Sequence, residues 1–331
     1  MKLKKCAALL LVSSCLLTGC APSSAKKVDS KYVVASLEKG NKTKNIFADN
    51  LYKDIIDNSS NNSIVFNAVL QNLVDQKFPV NDDMKEDAAT IIKQIKSAYK
   101  SNYGDNYKDS LNQALTSAGY KNLSEYRQRM IKQIQYANFL LDYIDDHFDD
   151  VFNDYYQQCA PKYVSLIKIS VSDTSSPTDD ETSKLNEVKE LISNTDKSFG
   201  DIAQDYSDDS TSSKKGSLGI VDSKDTSGIA NSYGKDVFNA IEALSEGQVS
   251  DVITGDDGYY FVKVTSTDKK TLKKELKKTD IDSPLLAYDD YLQYVVYNSY
   301  KINYKDKDIK KIVQEVVNKA LEERKTERGE A

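Results

Sequence analysis

The spacing of apolar residues changes twice along this chain, and that limits its fold more than any single motif does. Phe66, Val69, Leu70, Leu73, Val74 and Phe78 recur at i, i+3, i+4, i+7 and stop at Pro79, the pattern of an amphipathic helix ended by its proline. Met84, Ala88, Ile91, Ile95, Ala98 and Tyr99 repeat the pattern behind the capping candidates Asn81 and Asp82, and Tyr126, Met130, Ile131, Ile134, Ala137, Leu141 and Ile144 repeat it after Ser124. From 163 to 171 the residues alternate instead and are β-prone; 181–192 and 199–206 read as helices, 216–219 as a turn, 236–244 as a helix and 258–264 as a strand. Beyond Thr271 helical spacing returns, with Leu285, Tyr288, Leu292, Val295 and Val296 on one face, then Ile309, Ile312, Val313 and Val316. The last helices are too few to bury their apolar faces alone and are expected to pack back on the first ones. The sequence therefore predicts an α+β chain: a discontinuous helical domain, 31–160 plus 269–322, with an α+β domain inserted at 161–268 and a charged tail at 323–331.

The chain has one histidine and four cysteines, and their positions carry the information. Cys6, Cys15 and Cys20 lie in a segment with three early lysines, an apolar run and a small-residue close at Leu17-Thr18-Gly19-Cys20. That is a secretory signal over 1–19, too short to span a bilayer of roughly 30 Å. Its last four residues resemble a bacterial lipobox, which implies cleavage before Cys20, lipid on that cysteine and attachment to the bilayer. Residues 20–30, polar and rich in Ser and Lys, then read as a tether. Cys159 is left without an intramolecular partner, so this extracytoplasmic body is expected to be stable without disulfides. The single His147 excludes any site needing two imidazoles from one chain. It sits among Asp145, Asp146, Asp149 and Asp150, which spread around a helix axis and read as a solvated acidic end, so no metal and no cofactor is expected. Formal net charge is -6, which argues against a nucleic-acid partner.

Four motifs in the middle segment resemble the parvulin, or PpiC-type, peptidyl-prolyl isomerases. Phe199, Ala203, Ser207 and Asp209 fit the run F-x-x-x-A-x-x-x-S-x-D, and residues 215–219 fit the turn G-G-x-L-G. Leu244, Gly247 and Ser250 fit L-x-x-G-x-x-S, and residues 258–264 fit the closing strand G-Y-H-I-I-K-V. With the lipobox and the flanking helices, the whole resembles the PrsA-type extracytoplasmic foldase lipoproteins of Gram-positive bacteria. The resemblance implies a membrane-anchored foldase that assists newly translocated secreted proteins, by chaperone binding and by cis/trans isomerisation of X-Pro bonds.

The chain also departs from that family. Lys168 stands at the first-strand histidine position and Tyr260 at the last-strand one, so the isomerase activity is expected to be weak or lost. Asp209 keeps the Cys/Asp position, and Lys168, Asp209 and Tyr260 are read as a rewired catalytic network in which Lys168 pairs with Asp209. Leu218 and Ser250 match substrate-pocket positions. Tyr233 and Val237 take the places of the Met and Phe that grip proline, with Phe238 filling the second slot if the alignment is shifted by one. Two alternatives remain: a holdase with a non-catalytic parvulin-like scaffold, and a solute-binding lipoprotein of an importer, whose two α/β lobes this pattern does not suggest. Tyr155, Tyr156, Tyr288, Tyr291, Tyr294 and Tyr297 are the first candidates for a client surface. Apolar helix faces allow a homodimer.

Overall fold

The computed structural model describes residues 27–39, 42–276 and 281–330; the signal segment, Cys20 and the start of the tether lie outside them. In chain order come the strands β1 (Lys27–Val28), β2 (Lys31–Lys39) and β3 (Lys42–Phe47). The helices α1 (Ala48–Ile56), α2 (Asn62–Lys77), α3 (Asp82–Tyr103), α4 (Tyr107–Ser117), α5 (Leu123–Asp146) and α6 (Phe148–Cys159) follow. Then come β4 (Lys162–Ser170), α7 (Asp179–Asn194), α8 (Phe199–Tyr206), β5 (Ser217–Val221), α9 (Ile229–Tyr233), α10 (Lys235–Ala243), β6 (Ile253–Gly255) and β7 (Gly258–Ser266). The chain closes with α11 (Lys269–Leu276), α12 (Leu292–Ser299) and α13 (Lys307–Glu327). No helix among the described residues is long and apolar enough to cross a membrane. Two compact units divide the described residues, one of 80–290 and one assembled from the segments before Val80 and after Asp290.

The two-segment unit opens with an antiparallel sheet that the helix-based reading of this stretch did not anticipate. Val28 pairs with Lys31 across a two-residue turn in which Asp29 and Ser30 both have positive φ, as a tight hairpin requires. Residues 27–30 are therefore hairpin rather than free tether, and 31–39 and 42–47 are strand rather than helix. The alternation went unread because nearly every side chain here is exposed on both faces, so no apolar row marks a buried side. At the other end of the chain α13 packs against α2. Phe66 of α2 stacks on Tyr294 at 4.9 Å and meets Tyr297 edge-on at 5.1 Å, and the Tyr297 and Tyr304 hydroxyls share a hydrogen bond of 2.6 Å.

In the other unit α3, α4 and α5 share an apolar core of Met84, Ala88, Ile92, Leu111, Leu115, Met130, Ile131 and Ile134. Asn81 caps α3 by accepting the Met84 N–H, and Asn122 caps α5 by accepting the Glu125 N–H. His147 is exposed at the end of α5, its Nδ1 2.9 Å from the Tyr143 carbonyl and its ring stacked on Tyr143. The second half of this unit is an antiparallel sheet in the order β5-β4-β7-β6. Period-two alternation on β4 sends Ile167 and Ile169 to the face covered by α7 and α8, where they meet Leu185, Val188, Phe199 and Ile202. Val164 and Leu166 go to the other face, with Val221, Val237, Ile241 and Val262.

The six tyrosines expected to offer a client surface are instead occupied in packing. Tyr155 is fully buried, donates to Asp222 at 2.8 Å and meets Tyr288 edge-on; Tyr288 donates to Asp154 at 2.8 Å and Tyr156 to the Thr267 carbonyl at 3.0 Å. Tyr291 donates to Glu327 at 2.6 Å, and Tyr294 and Tyr297 flank Phe66. The Tyr155, Tyr156, Tyr288, Tyr291 and Tyr297 hydroxyls each have a hydrogen-bond partner, which is how a phenol at least partly withdrawn from water avoids an unsatisfied polar atom.

Candidate functional site

The site forms where β4 and β7 run side by side. Their register sets Lys168 directly opposite Tyr260, and directly paired residues of antiparallel strands project to the same face. Sequence spacing alone put the two replaced positions on separate strands; the pairing brings them together. Lys168 Nζ lies 5.6 Å from the centre of the Tyr260 ring, and Tyr233 of α9 meets that ring edge-on at 6.2 Å.

Lys168 does not pair with Asp209. Its ammonium donates to Asp257 Oδ2 at 2.5 Å, and the other oxygen of the same carboxylate accepts from the Tyr260 hydroxyl. Asp257 sits in the two-residue turn between Gly255 and Gly258, so the β6–β7 hairpin itself supplies the acid. The ion pair is lopsided: the Lys168 side chain is 13% exposed and that of Asp257 66%. Burial first, then the hydrogen bond to Asp257, pushes the Tyr260 hydroxyl well above its ordinary range, so it stays protonated and acts as a donor. Gly255 is required here because a Cβ at that position would stand 2.7 Å from Tyr260 Cε2.

Asp209 approaches from a different direction. The outer edge of β4 is paired with β5 only as far as Ser165, and residues after α8 satisfy the rest. Ser207 Oγ accepts from the Lys168 N–H at 3.0 Å, the Asp208 N–H donates to the Lys168 carbonyl at 2.8 Å, and Asp208 accepts from the Ser170 N–H at 2.9 Å. This seam places Asp209, 6% exposed, at the start of a 3₁₀ turn whose Thr211 N–H it accepts at 2.8 Å. Its carboxylate also receives the Tyr233 hydroxyl at 3.5 Å. Burial, and then the charge of Asp209, raises the Tyr233 phenol. Two carboxylate–tyrosine pairs thus face one another across the Tyr233–Tyr260 ring contact, with Lys168 on the Asp257 side.

The expected pocket residues separate into two groups. Leu218 of β5, Tyr233 and Phe238 are half-buried and pack on the Tyr260 face of the sheet. Val237 is 1% exposed inside that core and cannot touch a substrate, so Phe238 is the residue of this pair that is available at the surface. Ser250 is also reassigned: its hydroxyl accepts the Val262 N–H at 3.0 Å while its own N–H donates to the Val262 carbonyl, which makes it a latch on β7. Gly216, in the 215–219 motif, has φ +75° and a Cβ there would lie 2.4 Å from the Leu166 carbonyl oxygen, which accounts for the glycine. Two residues went unread in the sequence. Asp257 was signalled only by an Asp-Asp-Gly turn three residues before Tyr260, and Ser207, already part of a motif, gave no sign of its backbone role.

The arrangement offers fixed donors, a largely buried ammonium held by a carboxylate, and aromatic walls. It suits binding and distortion of an amide rather than covalent chemistry.

Residues 166–266 match the rotamase family of PPIC-type PPIase domains. The chain is 32% identical over 141 residues to the foldase protein PrsA of Staphylococcus aureus (strain MRSA252) and, over the same length, to that of Staphylococcus epidermidis; each match covers 40% of this chain and 41% of the relative. The chain thus spans about two-fifths of the length of these curated relatives. Among solved structures, PrsA from Bacillus subtilis is 21% identical, with 85% of this chain and 97% of that chain covered at a TM-score of 0.39. Residues 166–266 are thus similar to the PPIC-type PPIase domains, within a chain similar over part of its length to the PrsA foldases.

Proposed function

We propose that this chain is a lipid-anchored extracytoplasmic foldase, whose PPIC-type domain holds X-Pro segments of newly translocated proteins and rotates them at a reduced rate. The observation that carries the reading is the convergence of Lys168, Asp257 and Tyr260, with Asp209 and Tyr233, on one face of the matched domain. Rotation must break amide resonance, a barrier of about 18–20 kcal/mol, and every 1.4 kcal/mol of preferential binding to the twisted amide is a factor of ten in rate. In this site both phenol hydroxyls are already committed to carboxylates, so the Lys168 ammonium is the donor with protons to spare for a substrate carbonyl. Proline would lie against Phe238, Leu218 and the Tyr233 ring.

Proline-limited refolding of a model protein, with the chain present at substoichiometric concentration, tests this. Acceleration that falls below a two-histidine parvulin and disappears in Lys168→Met is expected. A rate equal to that parvulin would refute the reduced-rate site. Suppressed client aggregation with no acceleration at any concentration would make the domain a scaffold and the protein a holdase.

A further inference from the structure

The N-terminal sheet has two chemically different faces, and one has no partner among the described residues. Register assigns the faces: Leu37 pairs with Lys44, Ala35 with Ile46 and Lys27 with Tyr32, while Ser36 pairs with Asn45 and Glu38 with Thr43. One face therefore presents Lys42, Lys44, Leu37, Ile46, Tyr32 and Lys27, and carries no acid. The opposite face holds Ser36, Glu38, Thr43 and Asn45; at its base Lys31 pairs with Asp49 and the sheet is backed by α1. On the cationic face Leu37 is 65% exposed and Ile46 42%, with Lys27 Nζ 4.6 Å over the Tyr32 ring. Leaving such side chains in water is unfavourable unless something covers them.

Two observations identify what covers them. Residues 27–47 hold five lysines against Asp29 and Glu38 in a chain whose formal net charge is -6, so a negative surface is attracted here and repelled elsewhere. Cys20 precedes Lys27 by seven residues, which reach at most about 25 Å however they run. We propose that the Leu37–Lys44 face of this sheet docks on an anionic lipid surface, with lysines among the headgroups and Leu37, Ile46 and Tyr32 at the acyl boundary. Lipid attachment at Cys20, part of the reading above, would raise the local concentration of the surface; the face chemistry does not depend on it.

The test uses protein produced from Ala21 onward, which retains every described residue and carries no lipid, so that a failed anchor assignment and a failed docking face give different results. Co-sedimentation compares vesicles of phosphatidylcholine alone with vesicles containing phosphatidylglycerol. Binding to the anionic vesicles, released by high salt, is expected. Lys42→Gln with Lys44→Gln should weaken partitioning about thirtyfold, and Leu37→Asp should abolish it. Lys93→Gln with Lys96→Gln, the same charge change on exposed lysines of α3, should change it little, and far-UV circular dichroism should show all variants folded. The proposal is overturned if anionic vesicles bind no better than neutral ones, or if the α3 variant loses as much as the sheet variants. It is equally overturned if the sheet variants lose an unfolded, reduced polypeptide while vesicle binding is absent, because the face would then be a client site.

Discussion

Removing one end of the Lys168–Asp257 pair should cost more than removing the other. With Asp257→Asn, an ammonium whose side chain is 13% exposed loses the carboxylate it is paired with, and the new amide must turn its NH₂ toward either that ammonium or the Tyr260 hydroxyl. A fully buried pair broken this way loses about 3–5 kcal/mol, and an exposed one about 0–1. Because the Asp257 end is 66% exposed, the loss should be about 1–2 kcal/mol, or a factor of roughly 5–30 in local opening. Lys168→Met leaves a carboxylate that water can reach and that still accepts from Tyr260, so it should cost under about 1 kcal/mol, the apolar stem being kept. In the double variant the two losses should not add, and a coupling near 1 kcal/mol is expected. Native-state hydrogen exchange at the β4 and β7 amides is the suitable assay, since it reads this sheet separately from the rest of the chain. A larger loss from Lys168→Met than from Asp257→Asn, or full additivity, would refute the desolvation argument.

Ser250→Ala should lower the protection of the Val262 amide by about 1 kcal/mol while leaving peptide affinity unchanged, because its hydroxyl serves the strand; weakened peptide binding with normal protection would return Ser250 to the pocket. Tyr155→Phe removes a donor to Asp222, which is fully buried and also accepts from the backbone N–H groups of Lys224 and Thr226 and from the Thr226 hydroxyl. Burial and Asp222 raise the Tyr155 phenol, so it remains a donor at any usable pH, and a loss of about 1.5–3 kcal/mol in urea unfolding is expected. Glu181 closes the capping box of α7, and hydrogen bonds from the Thr178 and Ser172 backbone lower its carboxyl from 4.5 to about 2. A depressed folded value means that its stabilisation is full above about 4.5 and is lost as pH falls through about 2. Protection factors at the start of α7, taken relative to the intrinsic exchange rate at each pH, should fall across that window in the parent and stay flat in Glu181→Gln.

What could be read from the sequence depended on whether a residue's role was set by its own neighbours or by a distant strand. Helices α2, α3, α5 and α8 were legible because a buried stripe at helical spacing carries its signal locally. The sheet of β1–β3 was not, because a strand exposed on both faces has no apolar row to betray it. The site follows the same division. Lys168 and Tyr260 were found through motifs, yet the acid that joins them depends on register: β4 lies against β7, β7 turns into β6 through Asp256 and Asp257, and the hairpin then carries Asp257 to the pair. Asp209 was assigned as the partner because it was the conspicuous acid in a motif, but its carboxylate is held by its own turn and by Tyr233. One consequence is that the network has two separable halves. A substitution at Asp209 should act first on Tyr233 and the 3₁₀ turn, one at Asp257 on Lys168 and Tyr260; the halves are linked by the edge-on contact of the two rings, by the charge of Asp209 felt at Tyr260 and by the Ser207–Asp208 seam on the Lys168 backbone. Replacing Tyr233 with leucine should therefore weaken the coupling between Asp209→Asn and Asp257→Asn in refolding catalysis, and coupling that survives undiminished would mean that the two carboxylates act on the site through space rather than through the rings.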